Sequence, residues 1–139
     1  MANFSNPRLL PTTFLATIAL SSSACVVAAA GVGAGGAIYA TERDVESQVA
    51  MSVDAACEAV RKAFRELEIT EGKYATEHDG DREARTLTGK TDDRDVTVRV
   101  RSDGSGSRLS VTVRRDEVLW DRKLARAIID SVIRQTKGY

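Results

Sequence analysis

Val96-Thr97-Val98-Arg99-Val100-Arg101, then Asp103-Gly104, then Ser107-Arg108-Leu109-Ser110-Val111-Thr112-Val113-Arg114: this stretch decides the fold. Apolar and polar residues alternate on both sides of an Asp-Gly pair, which is the period of a strand with one buried face. Asp-Gly between two such runs marks a tight hairpin, because the turn requires positive φ. Val96, Val98 and Val100, with Leu109, Val111 and Val113, form the inward set. The same pattern recurs upstream, where segments 70–77 and 83–91 flank Asp79-Gly80. Thr91-Asp92-Asp93-Arg94 connects the hairpins, and a four-stranded meander results.

Working outward, Val45, Ser47, Val49 and Met51 alternate with Glu46, Gln48 and Ala50 and predict another half-buried strand. Ser52 or Asp54 then caps a helix to about residue 68, with Cys57, Val60, Phe64 and Leu67 on one apolar stripe. At the far end the spacing predicts a helix over 118–136, with Asp116 as N-cap. Leu124, Ala127, Ile128, Ser131 and Val132 make its stripe, bordered by Trp120 and Ile129. The order is β-α-β-β-β-β-α. It implies an α+β fold, an antiparallel sheet of about five strands with two helices on one face, filling residues 44–139 as a single domain. This order is similar to that of the TATA-binding-protein-like fold, a likeness of topology that carries no function.

The segment before the domain has a different character. Arg8 is the only charged side chain before Glu42, and an apolar run over 9–20 follows it, the form of an export signal. Ser21-Ser22-Ser23-Ala24 supplies small residues at a cleavage position, so residues 1–24 read as signal peptide. Cys25 comes next, then a Gly/Ala-rich tether through residue 43. From 14 to 40 nothing is charged, and about 20 apolar residues suffice to cross a bilayer, so a retained signal anchor competes with cleavage. Ordinary cleavage near Ala24 or Ala30, releasing a soluble protein, is the third reading. Gly31-Val32-Gly33-Ala34-Gly35-Gly36 fits the G-x-G-x-x-G spacing, but that fingerprint works only inside a βαβ unit, which is absent from this pattern.

At Cys25 the chain resembles bacterial lipoproteins. Their lipobox sets an aliphatic residue and two small residues before the Cys that receives a diacylglyceryl group. Ser23 and Ala24 match; Ser22 stands in the aliphatic position, and the nearest Leu is Leu20. Over nearly its full length the chain is similar to a family of short bacterial lipoproteins classed as a domain of unknown function. The likeness runs through Cys25, Gly33-Ala34-Gly35-Gly36-Ala37-Ile38-Tyr39 and the strand and helix that follow. It implies lipidation at Cys25, with palmitate-type acyl chains, and a place in the cell envelope facing the periplasm. Val26 lacks the inner-membrane retention character of an Asp at that position, which points to the outer membrane. The resemblance supplies no catalytic residues.

The net charge is zero, which argues against a general nucleic-acid binder. Residues 41–81 hold 5 basic and 11 acidic side chains, and 82–139 hold 14 and 9, so charge is polarised along the sequence. With Cys25 lipidated, Cys57 is left single and reads as a core residue.

Residues out of phase with the valines belong on the open face of the sheet: Thr97, Arg99 and Arg101, and Arg108, Ser110, Thr112 and Arg114. Arg99, Arg101, Arg108 and Arg114 make a candidate anion-binding surface for lipid head groups, peptidoglycan carboxylates or an acidic envelope protein. The competing reading is a solvated face whose arginines pair with neighbouring carboxylates. Glu77-His78-Asp79-Gly80-Asp81 collects potential ligands but lacks the spacing of a calcium loop and a second His for zinc. No nucleophile stands beside a base, so no catalytic residues, metal or cofactor are expected. The expectation is a non-enzymatic binding or structural module on a membrane, carried by a lipid on Cys25.

Overall fold

A computed structural model describes residues 38–80 and 82–137. Cys25, the expected export signal and most of the expected tether lie outside the described residues. The elements are β1 (Ile38–Ala40), β2 (Asp44–Val49), α1 (Val53–Glu66), β3 (Thr70–Asp79), β4 (Arg82–Thr91), β5 (Arg94–Asp103), β6 (Gly106–Arg114) and α2 (Arg122–Thr136). All strands join one antiparallel sheet in the order β1-β2-β6-β5-β4-β3. The fold is α+β, with six strands rather than about five. The additional strand is β1, three residues of the expected tether that pair with β2, Ile38 opposite Ser47 and Ala40 opposite Val45.

The meander forms because each turn suits its residues. Gly80 and Gly104 open the β3–β4 and β5–β6 turns at φ +64° and +63°, where glycine carries no steric penalty. Asp92 takes the corresponding left-handed conformation in the β4–β5 turn, at φ 45°. Asp tolerates that region better than most residues.

Both helices cover the same face, α1 against β3–β6 and α2 against β2 and β6, and the two also touch each other. Val96, Val98, Val100, Leu109, Val111 and Val113 are each at most 1 % exposed, together with Val60 and Phe64 of α1 and Ile128, Ile129 and Val132 of α2. Cys57 belongs to this core as a free thiol, and burial pushes its pKa up. Ser52 caps α1, its hydroxyl accepting from Ala55 N–H.

The second helix starts four residues later than its spacing suggests. Residues 115–121 instead fold back along the end of β6, with Arg115 N–H donating to Leu119 C=O and Asp121 N–H to Val113 C=O. Asp121, not Asp116, is the cap, and its carboxylate accepts from Leu124 N–H at 2.9 Å. This return leaves Val118 79 % exposed and Leu119 57 % exposed at the loop tip. Trp120 is half-buried beneath the Arg43 guanidinium.

Candidate functional site: the open face of the sheet

Among the described residues no helix covers the second face of the sheet, and strand alternation assigns its residues. The register places Gln48, Arg108, Arg101, Ala84 and Glu77 in one row across β2, β6, β5, β4 and β3. Glu46, Ser110, Arg99, Thr86 and Ala75 form the next row. The four sequence-predicted arginines therefore share this face, as their phase requires.

Their surroundings differ. Arg99 of β5 donates to Glu77 of β3 across the intervening β4. Arg114 donates to Asp95 at 3.3 Å, and Lys90 approaches the same carboxylate at 3.5 Å. The hydrogen bond from Arg114 and then the charge of Lys90 hold the Asp95 carboxyl below its usual range. Arg108 donates from Nε and Nη2 to one Asp103 oxygen, at 3.0 and 2.8 Å, and Gln48 donates to the same oxygen at 3.3 Å. That bond raises the Arg108 pKa. Arg101 has no ion pair among the described residues.

Arg101 instead lines a depression of about 240 Å³ with Arg82, Arg108, Glu46, Ala84, Ser102 and Asp103. Ala84 is only 2 % exposed although no described helix lies above it, and the longer Arg101 and Glu77 flank it in its row. A second depression, about 320 Å³, adjoins the first through Glu46 and Arg108 and reaches Tyr39 on β1. Arg82, Glu46 and Tyr39 were invisible as site residues in the sequence. The core-facing positions of β4 are Arg85, Leu87 and Gly89, so its alternation does not read as apolar and polar. Arg82 thus carried no phase signal.

The opposite face has its own charges, and they fasten α1 to the sheet. Arg85 pairs with Asp54 at the start of α1 and with Glu83, which raises its pKa. Arg61 bridges Glu58 and Glu71 and sits 5.0 Å over the Tyr74 ring. Glu66 accepts from the Ser131 hydroxyl and from Arg134 of α2, which together lower its pKa, Ser131 first.

Of the ligand-rich stretch at the β3–β4 turn, Asp81 lies outside the described residues. Glu77 faces Arg99, whereas His78 is exposed on β3 opposite Glu83. Among the described residues no three His, Cys, Asp or Glu side chains gather as metal ligands, and no helix is long and apolar enough to cross a membrane. What the open face offers chemically is guanidinium hydrogen bonding at a shallow, water-accessible surface.

A family model described as "Protein of unknown function (DUF3568)" matches residues 8–134. No curated protein matches the chain.

Proposed function

The chain belongs to that family of unknown function, and on this footing we propose that it is a lipid-anchored protein of the bacterial cell envelope whose domain binds a partner without catalysing a reaction. One observation carries the reading: Arg8, the apolar run over 9–20 and Ser22-Ser23-Ala24-Cys25 stand in the order of a lipoprotein signal. An acyl chain contributes about 0.8 kcal/mol per buried methylene, and stable attachment takes two such signals, which a diacylglyceryl Cys25 supplies. The domain then faces the periplasm, with the outer membrane as the favoured site. The open sheet face is the surface available to a lipid head group, peptidoglycan or an envelope protein. A shallow polar depression lined by guanidinium groups suits recognition of an anionic partner.

Mass spectrometry of the mature N-terminus tests the anchor. The expected species begins at Cys25 and carries acyl chains. A chain that still begins at Met1, or an unmodified Cys25, overturns it. The uncharged stretch from 14 to 40 favours one other reading, a retained signal anchor carrying the same domain. Cys25→Ser separates the two, since it blocks lipoprotein processing and leaves a helical anchor in place.

A further inference from the structure

Two features that the anchor does not require lie at the same end of the sheet. The first is the arginine cluster. The β3–β4 turn, with Asp79 opposite Arg82, and the β5–β6 turn, with Asp103 opposite Gly106, point the same way along the sheet. Arg82, Arg101 and Arg108 stand just inside these turns on the uncovered face, around the 240 Å³ depression. The second is the point of entry of the chain. Ile38 pairs with Ser47, two residues from the end of β2 at Val49, which itself lies opposite Ser107 beside the β5–β6 turn. Because β1 runs away from this end, the chain preceding Ile38 joins the domain here. The anchor attachment and the arginine depression are therefore neighbours.

We infer that Arg82, Arg101 and Arg108 bind the phosphate of an anionic phospholipid head group in the membrane to which the chain is attached. The inference rests on the membrane-attachment reading above for its source of lipid, and on the arginines for its chemistry. Among the described lining side chains three guanidinium groups face two carboxylates, Glu46 and Asp103, so the depression keeps a positive excess after every internal pair is made. Guanidinium forks match phosphate oxygens in pairs, which a lysine-lined surface does not provide. The volume is several times the roughly 30 Å³ that one water occupies in the liquid, enough for a phosphate group. Tyr39 is 54 % exposed and borders the adjoining depression with Arg108. An amphipathic ring at that position suits the polar boundary of a bilayer, where Tyr is enriched. The thirteen Cα-to-Cα steps from Cys25 to Ile38 span at most about 45 Å when extended, so an anchored domain keeps this end within reach of the head groups.

The test uses the full chain in phosphatidylcholine vesicles, with and without a minority of phosphatidylglycerol. Arginine modification by phenylglyoxal is followed residue by residue by mass spectrometry. Arg82 and Arg101 are expected to react about tenfold more slowly when phosphatidylglycerol is present. Arg65, exposed in the last turn of α1 on the opposite side of the sheet, should react alike in both vesicles. Arg101→Glu should return Arg82 to its fast rate, and its circular dichroism should match that of the unaltered chain. Equal rates for Arg82 and Arg101 in the two vesicles overturn the site. Equal protection by inorganic phosphate in pure phosphatidylcholine overturns the head group as the ligand and assigns free phosphate instead. The N-terminal mass is read on the same sample. An acylated Cys25 without protection removes the site and leaves the anchor; protection in a chain with unmodified Cys25 does the reverse.

Discussion

Phe64 lies directly against Gly89: a Cβ on Gly89 would stand 3.0 Å from Phe64 Cε2 and 2.6 Å from Ile69 Cγ2. The absence of a side chain on β4 is what lets α1 settle its largest core residue onto the sheet. Gly89→Ala overpacks this contact and is expected to destabilise the domain by about 1–3 kcal/mol. Urea unfolding measures it. Adding Ile69→Ala should recover part of the loss, because the two changes meet in one contact and are not additive. A neutral Gly89→Ala would mean that the helix shifts freely over β4.

Asp121 has two tasks, accepting from Leu124 N–H at the start of α2 and pairing with Arg94 at 3.1 Å. Asp121→Ala should cost about 0.5–2 kcal/mol, the range for a lost N-cap. Asp116→Ala, at the position favoured by sequence spacing, should stay within about 0.5 kcal/mol, as for an ordinary surface substitution. Thermal melting of the pair distinguishes the caps.

Acid should weaken the fold through three carboxylates with lowered pKa values. Asp93 is held down chiefly by the hydrogen bond from Arg115, Asp95 by that from Arg114, and Glu66 by that from the Ser131 hydroxyl. Each binds a proton more readily in the unfolded chain than in the native one, so their stabilisation is complete above the ordinary carboxylate range, near pH 4. It is lost as pH falls from there through the lower native values. Urea midpoints taken downward from neutral pH should hold steady and then decline. Arg114→Gln and Arg115→Gln should each make that decline shallower.

Cys57 should resist alkylation in the native protein, because it is buried and its thiolate is disfavoured by that burial. Its labelling rate is expected to rise together with the unfolded fraction in urea. Fast labelling under native conditions would show that α1 opens locally at its buried face.

The meander was legible because Val96 to Val113 repeats a two-residue period around a turn that accepts positive φ. The α1 stripe at Cys57, Val60 and Phe64 was equally plain. β1 was not, since Ile38-Tyr39-Ala40 is too short to show a period and sits in a Gly/Ala-rich run. The spacing misplaces the start of α2 because Val118 and Leu119 look like the first turn of an amphipathic helix, whereas both are exposed in a loop pinned to β6. The arginines of the open face followed from phase alone. Which of them pair with carboxylates depends on diagonal neighbours such as Glu77 and Asp103, and these emerge only once the register is set.

The pairing of β2 with β6 also has a consequence in time. Asp44 lies opposite Thr112, so the sheet cannot close until most of the chain has been made. At about 5–20 residues per second, β2 waits several seconds for its neighbour, while each strand of the meander waits only for the next hairpin arm. The meander and α1 can assemble first, with β2 adding at the end as the long loop closes. The residues that precede β2 thus leave the ribosome well before the sheet beside β2 has closed.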